Sequence, residues 1–186
     1  AAQPGGEPRK VGTFTCVLLR DLITGKVRYE WQRDIPPPFS TTWKYTEIIN
    51  GDEGAILGAD GGRSPAQRPS SAARIAARRK ELSRSAVTVL IHALSRSSSF
   101  LRLMDQMIHG RKHIVIAYDN QGQQVIMAID GDSRLLTKVE FLEDDPIYGD
   151  TQNELFFSAW RQVGTLKLPF ELLYRVNGQE VTVEHI

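Results

Sequence analysis

Cysteine is almost missing from this chain. Its 186 residues include one, Cys16, so neither a disulfide framework nor a multi-cysteine metal site can be built. Long apolar runs are missing as well, and no window approaches the roughly 18 apolar residues of a membrane-spanning helix. Neither sign of charge is in excess: 23 Lys+Arg stand against 22 Asp+Glu, for a net charge of +1. A chain whose main business is holding a phosphate backbone carries a basic surplus, and this one does not. Histidine is scarce, and His92, His109, His113 and His185 include no pair at i, i+2 or i, i+3. What remains is ordinary globular composition, 41% hydrophobic and 24% charged, which excludes a mainly disordered protein.

The opening residues, Ala1-Ala2-Gln3-Pro4-Gly5-Gly6-Glu7-Pro8, are small, polar and turn-rich. They have the character of a segment just after a signal-peptidase cut, and equally of a fragment boundary. Residues 1–9 are therefore read as a flexible N-terminal segment.

Strand patterns follow. Val27-Arg28-Tyr29-Glu30-Trp31-Gln32 alternates apolar and polar side chains, as a strand with one wet face requires. Thr13 to Leu19 reads as its partner across a Thr24-Gly25 turn, and Pro36-Pro37-Pro38 ends the pair. Thr42 to Ile49 runs into Asn50-Gly51, a tight-turn pair, and Glu53 to Leu57 returns beside it. After a loop over 60–71 the composition turns to Ala, Arg and Leu. Ser70 or Ser71 caps a single long helix over about 72–95, with Ile75, Leu82, Ala86, Val89 and Ala93 on one face. Arg74, Arg78, Lys80 and Arg84 fall on its flanks, Arg78 and Lys80 nearer solvent. From Phe100 onward the chain reads as strand: 100–107, 113–118, 124–129, 137–142, 154–163, 168–176 and 181–186. Without βαβ alternation, Rossmann and P-loop architectures are excluded. The expected class is α+β, a large curved antiparallel sheet with one long helix on its concave face.

Candidate chemistry is sparse. No His, Cys or carboxylate set has metal-ligand spacing, so no metal ligand or cofactor is assigned. The acidic corner Glu143-Asp144-Asp145, with Asp150 and Glu154, can attract a hard cation but lacks a calcium-loop pattern, and solvated carboxylates explain it more simply. Between Arg63 and Arg84 stand seven Lys/Arg and only Glu81 as an acid. No aromatic residue is interleaved, so there is no stacking platform for nucleic acid. Charge pairing with the acidic run from 136 to 155, or an acidic partner, accounts for this stretch. Cys16 and Ser64 lack a nucleophile frame, and no catalytic residue is assigned. The aromatic set Trp31, Trp43, Tyr45, Phe141, Phe156, Phe157 and Trp160 reads either as core or as the lining of a ligand cavity. Trp31, Trp43, Tyr45, Phe141, Phe157 and Trp160 are the candidate ligand-binding residues.

Several stretches are familiar in combination. Trp43-Lys44-Tyr45-Thr46-Glu47-Ile48-Ile49-Asn50-Gly51 leads to Gly58-Ala59-Asp60-Gly61 and then to the run from Ser71 to Leu82. Ile129-Asp130 with Leu135, Gly149-Asp150, the run from Phe157 to Gly164, and Leu168-Pro169-Phe170 follow in order. This order resembles the N-terminal domain that precedes the hydrolase domain in a group of exported metallo-β-lactamase-fold hydrolases. The resemblance spans about residues 10–186, with the 97–112 stretch the least alike. It implies one half-barrel domain over 10–186, similar to the periplasmic lipoprotein carriers, with a sheet curled around a helix. In that family zinc is held by a His-x-His-x-Asp-His motif in the following domain, and the motif is nowhere in this sequence. The resemblance therefore implies an exported, periplasmic or secreted, non-catalytic module without a cofactor of its own. Its expected partners are a hydrophobic small molecule or lipid, a C-terminal or separate hydrolase domain, or a second copy. A free-standing carrier of hydrophobic ligands is the alternative, and a cation-dependent enzyme using the corner 143–150 is a third.

Overall fold

The computed structural model describes residues 12–21, 24–61, 66–145 and 149–186. The N-terminal segment 1–9, together with Arg63 and Ser64, lies outside the described residues. The sequence reading treats 10–186 as one domain. By internal packing the chain divides into two compact units, one ending at Leu82 and the other running from Ser83 to Ile186.

The first unit is an antiparallel meander: β1 (Thr13–Arg20), β2 (Val27–Ile35), β3 (Thr41–Asn50), β4 (Glu53–Gly58) and β5 (Gln67–Pro69) lie side by side in chain order. Helix α1 (Ala72–Ser83) follows. Period-two alternation holds in β2 and β3, where Val27, Tyr29, Tyr45, Glu47 and Ile49 are buried. Register sets Val27 opposite Ile49, Tyr29 opposite Glu47 and Trp31 opposite Tyr45, so these side chains share one face. Ile75 and Leu82, two helical turns apart on α1, pack on that face with Val27, Tyr29 and Ile49. The β3–β4 turn sits one residue later than the Asn50-Gly51 reading: Asn50 pairs with Glu53, and Gly51-Asp52 forms the loop. Gly51 has φ 58, which glycine adopts without a side-chain clash.

The second unit opens with α2 (Ala86–Ser95) and a 3₁₀ turn at Ser97–Ser99. Ten strands follow: β6 (Leu101–Arg102), β7 (Gln106–Ile108), β8 (Arg111–Asn120), β9 (Gln123–Asp130), β10 (Leu136–Asp145), β11 (Gly149–Ser158), β12 (Arg161–Val163), β13 (Leu166–Leu168), β14 (Glu171–Val176) and β15 (Gln179–His185). The main sheet runs β15-β14-β11-β10-β9-β8, with β6 and β7 both on the far side of β8, while β12-β13 is a separate hairpin. Its core joins Ala86, Val89 and Ala93 of α2 to Tyr118, Val125, Met127, Leu136, Val139, Phe141, Leu155 and Phe157.

The single long helix over 72–95 is corrected to two short ones. Ser85 is extended (φ −65, ψ 144) and its hydroxyl accepts from the Thr88 amide at 3.3 Å, so it caps α2 rather than continuing α1. Serine offers the backbone this local alternative to a helical bond, and Ser83-Arg84-Ser85 supplies it at the break. Two expected strands are also broken. The 100–107 stretch is reduced to β6 and β7. Ala159, with φ 51, separates β11 from β12 within 154–163.

Candidate apolar binding surface

The centre of the first unit is charged. Glu47 is fully buried (0% exposed) in the middle strand of five. Arg74 and Arg78, one helical turn apart on α1, both reach it: Arg74 Nε donates to Oε1 at 2.6 Å and Arg78 Nε to Oε2 at 2.9 Å. Arg74 also donates to Asp60 at 2.7 Å, and Arg68 pairs with Asp60 from β5. The guanidinium of Arg78 lies 4.7 Å from the Trp31 ring centre and 5.4 Å from that of Tyr29, and Arg74 lies 5.4 Å from that of Tyr45. Burial alone weakens the hold of Arg78 on its proton. Its bonds and charge contacts with Glu81 and Glu47 outweigh that loss and raise its pKa. Every charge in this cluster faces an opposite one, so it clamps helix to sheet. The expectation that Arg78 lies nearer solvent is corrected: its side chain is 13% exposed. The arginines of α1 pair with Glu47, Asp52, Asp60 and Glu81 rather than with the 136–155 acids.

The six aromatic candidates separate into two groups. Trp31 stacks between Tyr29 (5.6 Å) and Tyr45 (6.2 Å), and the half-buried Trp43 lies against the Gly61 backbone. Phe141 and Phe157 belong to the core of the second unit, with the partly buried Trp160 packed against it. Two surface depressions on β1–β3 have volumes of about 390 and 220 Å³, and Trp31 is the one aromatic candidate in the lining of either, the smaller. The larger is lined by Arg20, Asp21, Lys26 and Arg28 beside Leu19, Val27 and Ile48.

The acidic corner is only partly described, since residues 146–148 lie outside the described residues. Glu143 is held by Arg84 at 2.9 Å, and Arg84 also stands 4.8 Å over the Tyr174 ring. This salt bridge joins the basic and acidic runs in the pairing read from sequence. Among the described residues no three His, Cys, Asp or Glu groups are placed to hold a metal ion. His113 is buried between the Arg111 carbonyl (2.9 Å) and the Thr137 hydroxyl (3.1 Å). Asp130 accepts from the backbone amides of Ser133 (2.7 Å) and Asp132 (3.0 Å). These amide bonds, with Arg111 nearby, lower its pKa to about 2 against the opposing effect of burial.

Exposed apolar side chains stand out elsewhere. Along the chain from α2 to β7, Ile91, Leu94, Phe100, Leu101, Met104 and Met107 are exposed, Met104 to 89% and Leu94 to 71%. Ala86, Val89 and Ala93 already use one side of α2 for the core, and Ile91 and Leu94 lie exposed on another. Methionines fit such a surface, because the flexible thioether adapts to apolar guests of differing shape. The sequence reading missed these residues. The signal was present in Ala-Val-Thr-Val-Leu-Ile-His-Ala-Leu-Ser, where Ile91 and Leu94 fall outside the Ala86, Val89 and Ala93 side.

No family model matches the sequence, and no curated protein matches it. Among solved structures the chain is similar to a putative outer membrane lipoprotein-sorting protein domain from Vibrio parahaemolyticus. The identity is 12% and the TM-score 0.42, over 94% of this chain and 76% of that one. None of the three comparisons returns a hydrolase-associated domain. No helix among the described residues is long and apolar enough to cross a membrane.

Proposed function

We propose that this chain is a non-catalytic binding module for a hydrophobic ligand, an acyl chain or comparable apolar tail. The exposed apolar side chains of Ile91, Leu94, Met104 and Met107 carry the reading. Leaving so many large apolar side chains in water is unfavourable, and a bound apolar guest removes that exposure at roughly 25 cal/mol per Å² covered. The module works outside the cytoplasm, in a periplasmic or secreted setting, as a half-barrel of lipoprotein-carrier type. Trp160, packed against the same unit's core, is its natural reporter. A fatty acid or detergent tail should shift its emission saturably, with a negative heat-capacity change from apolar burial. No saturable change below ~1 mM, where binding is worth only about 4 kcal/mol, removes the reading.

The resemblance over 10–186 supports a second reading, in which the apolar surface docks on a metallo-hydrolase of the same or a separate chain. A reading frame that continues into a His-x-His-x-Asp-His motif, with weaker docking after Leu94→Ser, favours it over a free-standing carrier.

A further inference from the structure

We infer that β1 is a dimerisation edge and that its occupant is β1 of a second copy, extending the five-stranded sheet across a twofold axis. Strand β1 pairs with β2 on one side and with no described strand on the other. Its outer backbone N–H and C=O groups therefore lie along a row of eight residues, Thr13–Arg20. Both faces of this strand carry exposed apolar side chains. Phe14 and Leu18 share the face of Trp31, Val17 and Leu19 point to the other, and the last three of these are 47% to 57% exposed. A helix or a flat surface laid on the sheet covers one face only. A strand added at the edge bonds the open backbone and shields side chains on both faces at once.

The sequence of β1 favours a second copy. Natural edges are blunted by lysine, proline, inward charge or a bulge, and Thr13 to Leu19 holds none of these. With its only charge at Arg20, antiparallel self-pairing sets an uncharged segment against an uncharged segment and keeps the two arginines at opposite ends. Faces match only when residues of equal parity oppose, so the axis passes through Cys16 or Val17. Centred on Cys16, Phe14 meets Leu18 of the second copy and Thr15 meets Val17. Centred on Val17, Cys16 meets Leu18 and Thr15 meets Leu19. Either pairing is isologous and closes, leaving this edge unavailable to a third chain.

Sedimentation equilibrium of the full chain from micromolar to millimolar concentration should show a monomer–dimer equilibrium. Val17→Lys places two ammonium groups beside the axis at an already exposed position, so it should leave the circular dichroism and melting temperature unchanged and abolish the dimer. Mild oxidation should join the two copies through Cys16 in the first register, or through Val17→Cys in a Cys16→Ser background in the second. A chain that stays monomeric throughout overturns the proposal. So does a dimer that survives Val17→Lys and cross-links at neither position.

Discussion

Glu47 on β3 and Arg78 on α1 meet at 2.9 Å across 31 residues of chain, the carboxylate fully buried and the guanidinium nearly so. With Arg74 on the other carboxylate oxygen, one acid holds two turns of helix against the sheet. Taking charges out of water is expensive, and their pairing repays the cost only while every partner is present. Glu47→Ala removes the buried acid the two arginines share and leaves them only Asp60 and Glu81, beside the Tyr29, Trp31 and Tyr45 rings. The variant should lose about 3–5 kcal/mol, measured by urea unfolding followed through Trp31 and Trp43 emission. A loss below about 1 kcal/mol shows that the clamp is not what fixes α1.

Tyr29 gives the opposite expectation. Its hydroxyl is buried with no hydrogen-bond partner among the described residues, and burial pushes its pKa well above the ordinary phenolic value. An unsatisfied buried hydroxyl costs about 1–3 kcal/mol. Tyr29→Phe, which keeps the stacked ring, should therefore leave stability unchanged or raise it by about 1 kcal/mol or more. A clear loss in the same unfolding assay reveals a bond to that hydroxyl.

Asp130 makes stability depend on acid pH. Its folded pKa of about 2, set first by the Ser133 amide, lies below the usual carboxylate value near 3.9. A depressed folded pKa adds stability above the unfolded value, and that stability is lost as pH falls from about 4 towards 2. Asp130→Asn should melt lower than the parent at neutral pH, with the gap closing across that window. A gap independent of pH contradicts the assignment.

Ser85 separates the helices. Ser85→Ala removes the oxygen that accepts from Thr88 and should cost about 1 kcal/mol, while Ser85→Asp, another good cap, should restore most of it. Equal melting temperatures for the parent and both variants would show that the cap does not maintain the break.

Hairpins are the most legible part of this fold, because period-two alternation and turn residues act locally. Asn177-Gly178 sits in the β14–β15 turn as read, with both residues at positive φ. The helix break was hidden. Apolar spacing runs on through Ile75, Leu82, Ala86, Val89 and Ala93, yet the first two belong to one core and the last three to another. The clamp left a trace: Glu47 stands at an inward position between Tyr45 and Ile49, and two arginines lie four apart on the following helix. Spacing alone does not say that they meet. The apolar surface was harder still, because sequence shows which side chains are apolar and not which of them another element covers.

The central claim is tested most directly by equilibrium dialysis of a labelled long-chain fatty acid against the full chain and a Leu94→Ser/Met104→Ser variant. Both positions are strongly exposed, so the variant should fold like the parent. The parent should bind saturably with a dissociation constant below ~1 mM. Covering an apolar side chain is worth about 1.5–3 kcal/mol, and each ~1.4 kcal/mol is tenfold in affinity, so the variant should bind at least tenfold more weakly. No saturable uptake by the parent, or equal uptake by both proteins, contradicts a hydrophobic ligand on this surface.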